Sequence, residues 1–161
     1  MQIEYLGNKD LLNNKKIAFL CSSSIGSGAI LRCYDWATEM ANQGKTIISG
    51  FQSKIERDVL SFLLKGKQPI IIVIARKMYK ILPEELRKPL EEKRILIIST
   101  SPHSARVSRA TAMNRNEFFS ENSDSIVFGY IAENSSLYSL YQIHKTKSQI
   151  LYDRSEKREN I

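Results

Sequence analysis

KIAFLCSSSIGSGAILRCYDWATEM, residues 16–40, joins an apolar run to a Ser/Gly turn and then to a helical repeat. Lys16 to Leu20 has the near-continuous apolar character of a strand covered on both faces. Ile30, Tyr34, Ala37 and Met40 then recur at helical spacing. Between them Ser22, Ser23, Ser24, Gly26, Ser27 and Gly28 form a turn of small residues. Such a turn lets backbone N–H groups approach an anion, and the helix behind it adds unpaired amides and the positive end of its dipole. Phosphate binding is the expected chemistry, with a purely structural turn as the alternative. The spacing is not the dinucleotide fingerprint G-x-G-x-x-G, because Leu31 occupies the third glycine position.

The same strand–helix alternation continues outward. Thr46 to Ser49, Pro69 to Ala75, Arg94 to Ser99, Ser123 to Tyr130 and Gln149 to Tyr152 read as strands. Ile55 to Leu63, a segment opened by Pro83-Glu84-Glu85, Ala105 to Glu121 and Ser135 to His144 read as helices. The expected fold class is α/β, a Rossmann-like and mainly parallel sheet with helices on both faces. Ligands of such sheets bind at the carboxyl ends of the strands. Ser22 to Ser24, Ser49 to Lys54, Arg76-Lys77, Ser99 to Ser104 and Glu133 to Ser136 all follow strand ends, so one polar rim is expected.

The chain has 161 residues, enough for one domain with a real core. Residues 1–152 are expected to form that domain and 153–161 a charged tail. Met1 to Asn14 lacks the apolar core of a signal peptide and no apolar run approaches a membrane span, so a cytoplasmic protein without membrane contact is expected. Cys21 and Cys33 have neither C-x-x-C spacing nor a histidine cluster, which argues against zinc. Twenty-four Lys and Arg against 17 Asp and Glu give a net charge of +7, which favours an anionic partner, nucleic acid first.

Candidate binding residues follow from position. Arg106, Arg109 and Asn116, spaced i, i+3 and i+10, are expected on one helix face pointing into the crevice, with a solvated basic face as the alternative. Gly50 is expected to hold a backbone conformation closed to other residues. Cys21 lacks a recognisable base and reads as a small buried hydrophobe, and His103 and His144 have no partner carboxylate in sequence. No catalytic constellation and no cofactor is read, so binding is favoured over catalysis.

Several segments in order resemble the DNA-processing protein A (DprA/Smf) family, a Rossmann-like branch of the SLOG superfamily. IEYLGNKDLL, beginning at Ile3, is similar to the strand and glycine that precede the family core, and IAFLCSSS, beginning at Ile17, occupies the place of IAIVGSR. ISGFQSKIE, 48–56, is similar to VSGLARGID; RNEFFSENSDSIVF, 115–128, is similar to RNRIIAxLSDAVLV; and Asn134 to Leu137 stand where the family has SGSL. Ser23 replaces the arginine of GSR, Ser53 and Lys54 replace the arginine and glycine of ARGID, and Glu117 replaces the second arginine of RNR. Lys54, Arg57, Arg106 and Arg109 are positioned to supply charge instead.

The resemblance implies single-stranded DNA binding without catalysis, self-association as a homodimer, and contact with a recombinase. With the positions read above, the expected site is drawn from Ser22, Ser23, Ser24, Gly26, Ser27, Gly28, Ser49, Gly50, Lys54, Arg106, Arg109, Arg115, Asn116, Ser135 and Ser136. Two other readings stay open: a SLOG-type module for a nucleotide-like ligand, or a non-catalytic interaction protein that has lost the pocket. The PGGxGTxxE motif of the phosphoribohydrolase branch is absent, since the loop after SIVFGY reads IAENSSLY.

Overall fold

A computed structural model of the chain describes residues 2–23 and 25–152; Ser24 and the expected tail at 153–161 lie outside the described residues. Its elements are β1 (Glu4–Gly7), β2 (Lys16–Leu20), α1 (Ser27–Gln43), β3 (Thr46–Ser49), α2 (Lys54–Leu64), β4 (Ile70–Ile74), α3 (Glu84–Glu91), β5 (Ile95–Ser99), α4 (Arg109–Glu121), β6 (Ser125–Phe128), α5 (Ser136–Ile143) and β7 (Ser148–Ile150). They form one sheet in the order β1-β5-β4-β3-β2-β6-β7, in which only β1 runs antiparallel, against β5.

The apolar run of β4 and of β5 up to Ser99 is explained by helices on both faces. All five residues of each strand are buried. Strand side chains alternate sides. Ile70, Ile72, Ile74, Ile95 and Ile97 therefore pack with Trp36 and Met40 of α1, Val59 and Leu63 of α2 and Leu86 of α3. Ile71, Val73, Leu96 and Ile98 pack with Phe119 of α4, Leu137 and Leu140 of α5, and Leu11. Trp36 and Tyr34 serve packing: the Trp36 ring stacks on Phe19 at 4.9 Å, and the Tyr34 ring meets Phe62 at 4.9 Å.

Local chemistry sets the boundaries. α1 stops at Gly44, which takes the left-handed conformation at φ 68° and returns its N–H to the Ala41 carbonyl. Gly7 ends β1 at φ 111°, where a Cβ would stand 2.5 Å from the Ile95 carbonyl oxygen. The helix expected from Ala105 begins instead at Arg109. Ser108 and Thr111 form a reciprocal cap there, and the preceding loop is pinned by the Lys77 N–H donating to the Ser104 carbonyl at 2.8 Å.

The chain builds β2 to β5 stepwise in one direction, then returns through α4 to place β6 on the other side of β2. The connections diverge between β2 and β6, where open α/β sheets form their crevice. Because β2 to β6 are parallel to one another, Leu20, Ser49, Ile74, Ser99 and Phe128 end on one rim, and Ser22, Gly50, Arg76 and Glu133 follow those ends as expected. Among the described residues no helix is long and apolar enough to cross a membrane.

Candidate functional site

At the divergence point lies a crevice of about 470 Å³. Cys21, Ser22 and Ser23 after β2 form its floor, Gln52, Ser53 and Glu56 at the start of α2 one wall, and Arg115 and Asn116 of α4 another. The loop after β6, with Ala132, Glu133 and Ser135, closes the remaining side.

Glu56 is buried, and its carboxylate is fully used by main-chain donors. Oε2 accepts from the Cys21 N–H at 3.0 Å, while Oε1 accepts from Gln52 at 2.9 Å and Ser53 at 3.2 Å. Ser53 reciprocates by accepting the Glu56 N–H at 3.3 Å, which completes a capping box. The S-x-x-E spacing thus joins the end of β2 to the first turn of α2. Amides around the positive helix end supply what a buried carboxylate needs.

Arg115 is the opposite charge of the site and is only 5% exposed. Its Nε donates to Asn116 Oδ1 at 3.2 Å and its Nη1 to Gln52 Oε1. Its side chain crosses Gly50: a Cβ there would lie 2.6 Å from Nε and 2.7 Å from Cζ. This corrects the expectation for Gly50. The residue with positive φ is Phe51, at 47°, whose N–H is held by Ser49 Oγ at 3.0 Å; glycine stands at 50 to make room for a guanidinium. Burial pushes the Arg115 pKa down and nearby Glu56 opposes that shift, but a guanidinium stays protonated in proteins. Among the described residues no carboxylate makes an ion pair with it.

Serine hydroxyls fix the β6–α5 loop. Ser22 donates its N–H to the Tyr130 carbonyl at 2.9 Å, and its Oγ accepts from the Ala132 N–H at 2.9 Å and lies 3.5 Å from Ser135 Oγ. Ser135 caps α5 by accepting from the Leu137 N–H at 3.1 Å, just after Asn134 at φ 60°.

Of the residues singled out in sequence, Ser22, Ser23, Arg115, Asn116 and Ser135 line the crevice, and Gly50 lies under Arg115. Ser49 is buried and spent on Phe51. Lys54 points away, pairing with Asp58 at 3.0 Å with 72% of its side chain exposed. Gly26, Ser27 and Gly28 start α1 exposed and outside the crevice lining, as does Ser136 for α5. Ser24 is outside the described residues. The single face expected for Arg106, Arg109 and Asn116 is corrected, since Arg106 precedes the helix; both arginines are exposed on the rim.

Gln52 belongs to the polar run Ser49 to Lys54 after β3, and only the fold brings its side chain onto Arg115. Glu56 ends the segment ISGFQSKIE where VSGLARGID ends in an acid, and the fold adds its role as the tie between β2 and α2. Cys21 and Cys33 are buried free thiols whose sulfurs flank Gly129, and hydrogen bonding to Cys33 together with burial pushes the Cys21 thiol up. Cys21 is therefore held as a neutral thiol rather than a nucleophile.

Solved structures share the fold at low identity. DNA processing protein A from Streptococcus pneumoniae aligns at a TM-score of 0.72 and 17% identity over 92% of this chain, which spans 53% of the length of that one. The DNA processing protein A from Helicobacter pylori, whose structure was described for its single-stranded DNA binding mode, aligns at 0.64 and 16% identity, covering 98% of this chain and 85% of that one. The molybdenum cofactor binding protein of Rippkaea orientalis aligns at 0.61 and 12% identity, over 91% and 81% of the two chains. Comparison with curated protein sequences gives no match. The sequence model for DNA recombination-mediator protein A matches residues 1–152, and the chain belongs to that family.

Proposed function

We propose that the crevice holds the phosphodiester backbone of single-stranded DNA and that the protein acts in DNA processing by binding rather than by catalysis. The observation that carries this reading is Arg115: a cation 5% exposed, aimed into an open crevice, with no carboxylate paired to it among the described residues. A buried charge calls for a partner, and a phosphate would supply one with charge-assisted hydrogen bonds. Asn116, Ser22 and Ser135 line the same space and offer further polar contacts. Family membership and the single-stranded DNA binding named for the Helicobacter pylori relative support the choice of ligand. Self-association and contact with a recombinase belong to the same proposal.

The test is fluorescence anisotropy with a labelled oligothymidylate, comparing the parent with Arg115→Gln. Loss of one charge-assisted contact predicts roughly tenfold to hundredfold weaker binding. Parent-like binding by the variant would overturn the reading. The volume of about 470 Å³ also lies in the range of small-ligand sites, so a free nucleotide that competes with the oligonucleotide at low concentration and binds independently of salt would favour a nucleotide-sensing module.

A further inference from the structure

We infer that the opposite rim of the sheet, where β2 to β5 begin, is a docking surface for an extended acidic segment of a partner protein.

Strand register sets this surface. Lys16 pairs with Thr46, Ile47 with Ile70 and Ile70 with Ile95, so the residues entering β2, β3, β4 and β5 stand side by side across the sheet. Lys15, Lys45, Lys67 and Lys93 are among those entering residues, one for each strand, and all four are exposed. Strand spacing of roughly 4.8 Å spreads them over about 14 Å. The segments that carry them, 11–20, 40–49, 59–74 and 93–99, contain no Asp or Glu. The ion pairs among the described residues are Lys54–Asp58 and Arg87–Glu84, so none of the four lysines is paired with a described acid.

Helix ends do not use up this charge. α1, α2 and α3 finish at the same rim, where their last carbonyls would attract cations. Those carbonyls already have partners. Arg94, half-buried, turns its guanidinium onto the Leu63 and Leu64 carbonyls at 3.0 Å and 3.4 Å. The Ala41 and Met40 carbonyls accept the N–H groups of Gly44 and Lys45, and the Leu90 and Pro89 carbonyls accept those of Lys93 and Arg94. Lys16 Nζ is spent on the Leu12 and Asn14 carbonyls at 2.7 Å and 3.0 Å. What remains facing outward is a row of ammonium groups.

The chemistry of the row favours a peptide over nucleic acid. Among the described residues, none of the exposed large apolar side chains lies at the entries of β2 to β5, so unpaired bases would find nothing to stack on. Arg94 is turned inward, which leaves point charges rather than the planar fork that grips a phosphate. Acids close both ends of the row: Glu91 and Glu92 precede Lys93, and Asp124 stands beside Lys16, whose N–H it accepts at 2.7 Å. A duplex, far broader than the row, would set its phosphates against those carboxylates as well. An extended peptide rises roughly 3.3 Å per residue, so about five acidic residues span the four lysines and stop short of the flanking acids.

The experiment follows a fluorescently labelled peptide of about ten glutamates by anisotropy near 0.1 M salt, where a Debye length of about 10 Å screens charges on the other rim. It uses the full chain, a row variant carrying Lys15→Gln, Lys45→Gln, Lys67→Gln and Lys93→Gln, and a charge-matched variant carrying Arg32→Gln, Lys80→Gln, Arg106→Gln and Arg109→Gln, all at exposed positions. Exposed ion pairs are individually weak, so the row variant is expected to bind the peptide roughly tenfold less tightly, and the charge-matched variant within about twofold of the parent. Lys93 sits at φ 59°, so the pair Lys45→Gln and Lys67→Gln, away from that backbone, serves as a second variant with a smaller loss in the same direction. Oligothymidylate binding by the row variant should stay at the parental level, and Arg115→Gln should keep the peptide, which separates this rim from the crevice.

Absence of peptide binding by the parent would overturn the inference. So would equal losses in the row and charge-matched variants, since the peptide would then follow net charge. Loss of the peptide from Arg115→Gln would place it in the crevice instead. If a short DNA duplex displaces the peptide at lower concentration and itself loses affinity for the row variant, the rim is a nucleic-acid surface and the peptide reading falls.

Discussion

The guanidinium of Arg115 passes over Gly50 so closely that a Cβ on residue 50 would stand 2.6 Å from Nε. The obstructing atoms are the end of a flexible side chain, so Gly50→Ala displaces Arg115 more than it strains the backbone. We expect a stability loss of about 1 kcal/mol, at the lower end of overpacking costs, together with a loss of oligonucleotide binding comparable to that of Arg115→Gln. Thermal melts and anisotropy on the same preparation check this. A folded Gly50→Ala protein with parental affinity would remove Arg115 from the site.

Glu56→Gln tests the tie between the end of β2 and α2. Three main-chain N–H groups converge on the carboxylate, and a carboxamide offers them one oxygen and turns a donor toward the rest. A buried donor left unsatisfied costs about 1–3 kcal/mol, which urea unfolding should register. Ser53→Ala removes only the cap half of the motif and should cost about 1 kcal/mol. Equal effects of the two substitutions would mean that the link to Cys21 contributes nothing.

The fold was legible because strands buried on both faces leave an unmistakable record, such as IIIVI at 70–74. The strand ends carried the candidate residues to one rim for the same reason. What stayed hidden depends on pairs distant in sequence. Arg115 reads locally as one more basic helix residue, and only the fold brings it across Gly50 and onto Gln52, 63 positions away. The helix expected from Ala105 starts at Arg109, because the small and basic residues before it are compatible with a helix but are held in a loop. A Ser108–Thr111 cap and a main-chain bond from the β4 loop determine where it begins.

Tyr34→Phe should expose a pH-dependent contribution from the contact between α1 and α2. Tyr34 Oη donates to Asp58 Oδ2 at 2.6 Å. That bond holds the Asp58 carboxyl below its ordinary range and pushes the Tyr34 phenol up to about 12. The lowered carboxyl contributes stability that is complete above its unfolded value near 3.9 and is lost as pH falls through the still lower folded value. The raised phenol contributes stability that is complete below its unfolded value near 10 and is lost as pH rises through about 12. The melting temperature of Tyr34→Phe should therefore lie below the parent's at neutral pH and converge with it at both extremes. A constant gap across the pH range would show that the substitution acts through packing against Phe62 instead.

The Ser/Gly turn before α1 supplies the last prediction, because the fold separates its glycines from the crevice. Gly26 caps α1 at φ −81°, a backbone open to any residue, and a Cβ there would have no neighbour within 4 Å. Valine is a poorer cap than glycine, so Gly26→Val should cost α1 less than about 1 kcal/mol and leave the fold intact. Neither Gly26 nor Gly28 lines the space in front of Arg115. If the phosphate is held by Arg115 and its neighbours, Gly26→Val should change oligonucleotide affinity by no more than about twofold, as for a surface substitution remote from any contact. A loss as large as that of Arg115→Gln, in a variant that melts like the parent, would place the phosphate on the first amides of α1 and move the site to the turn.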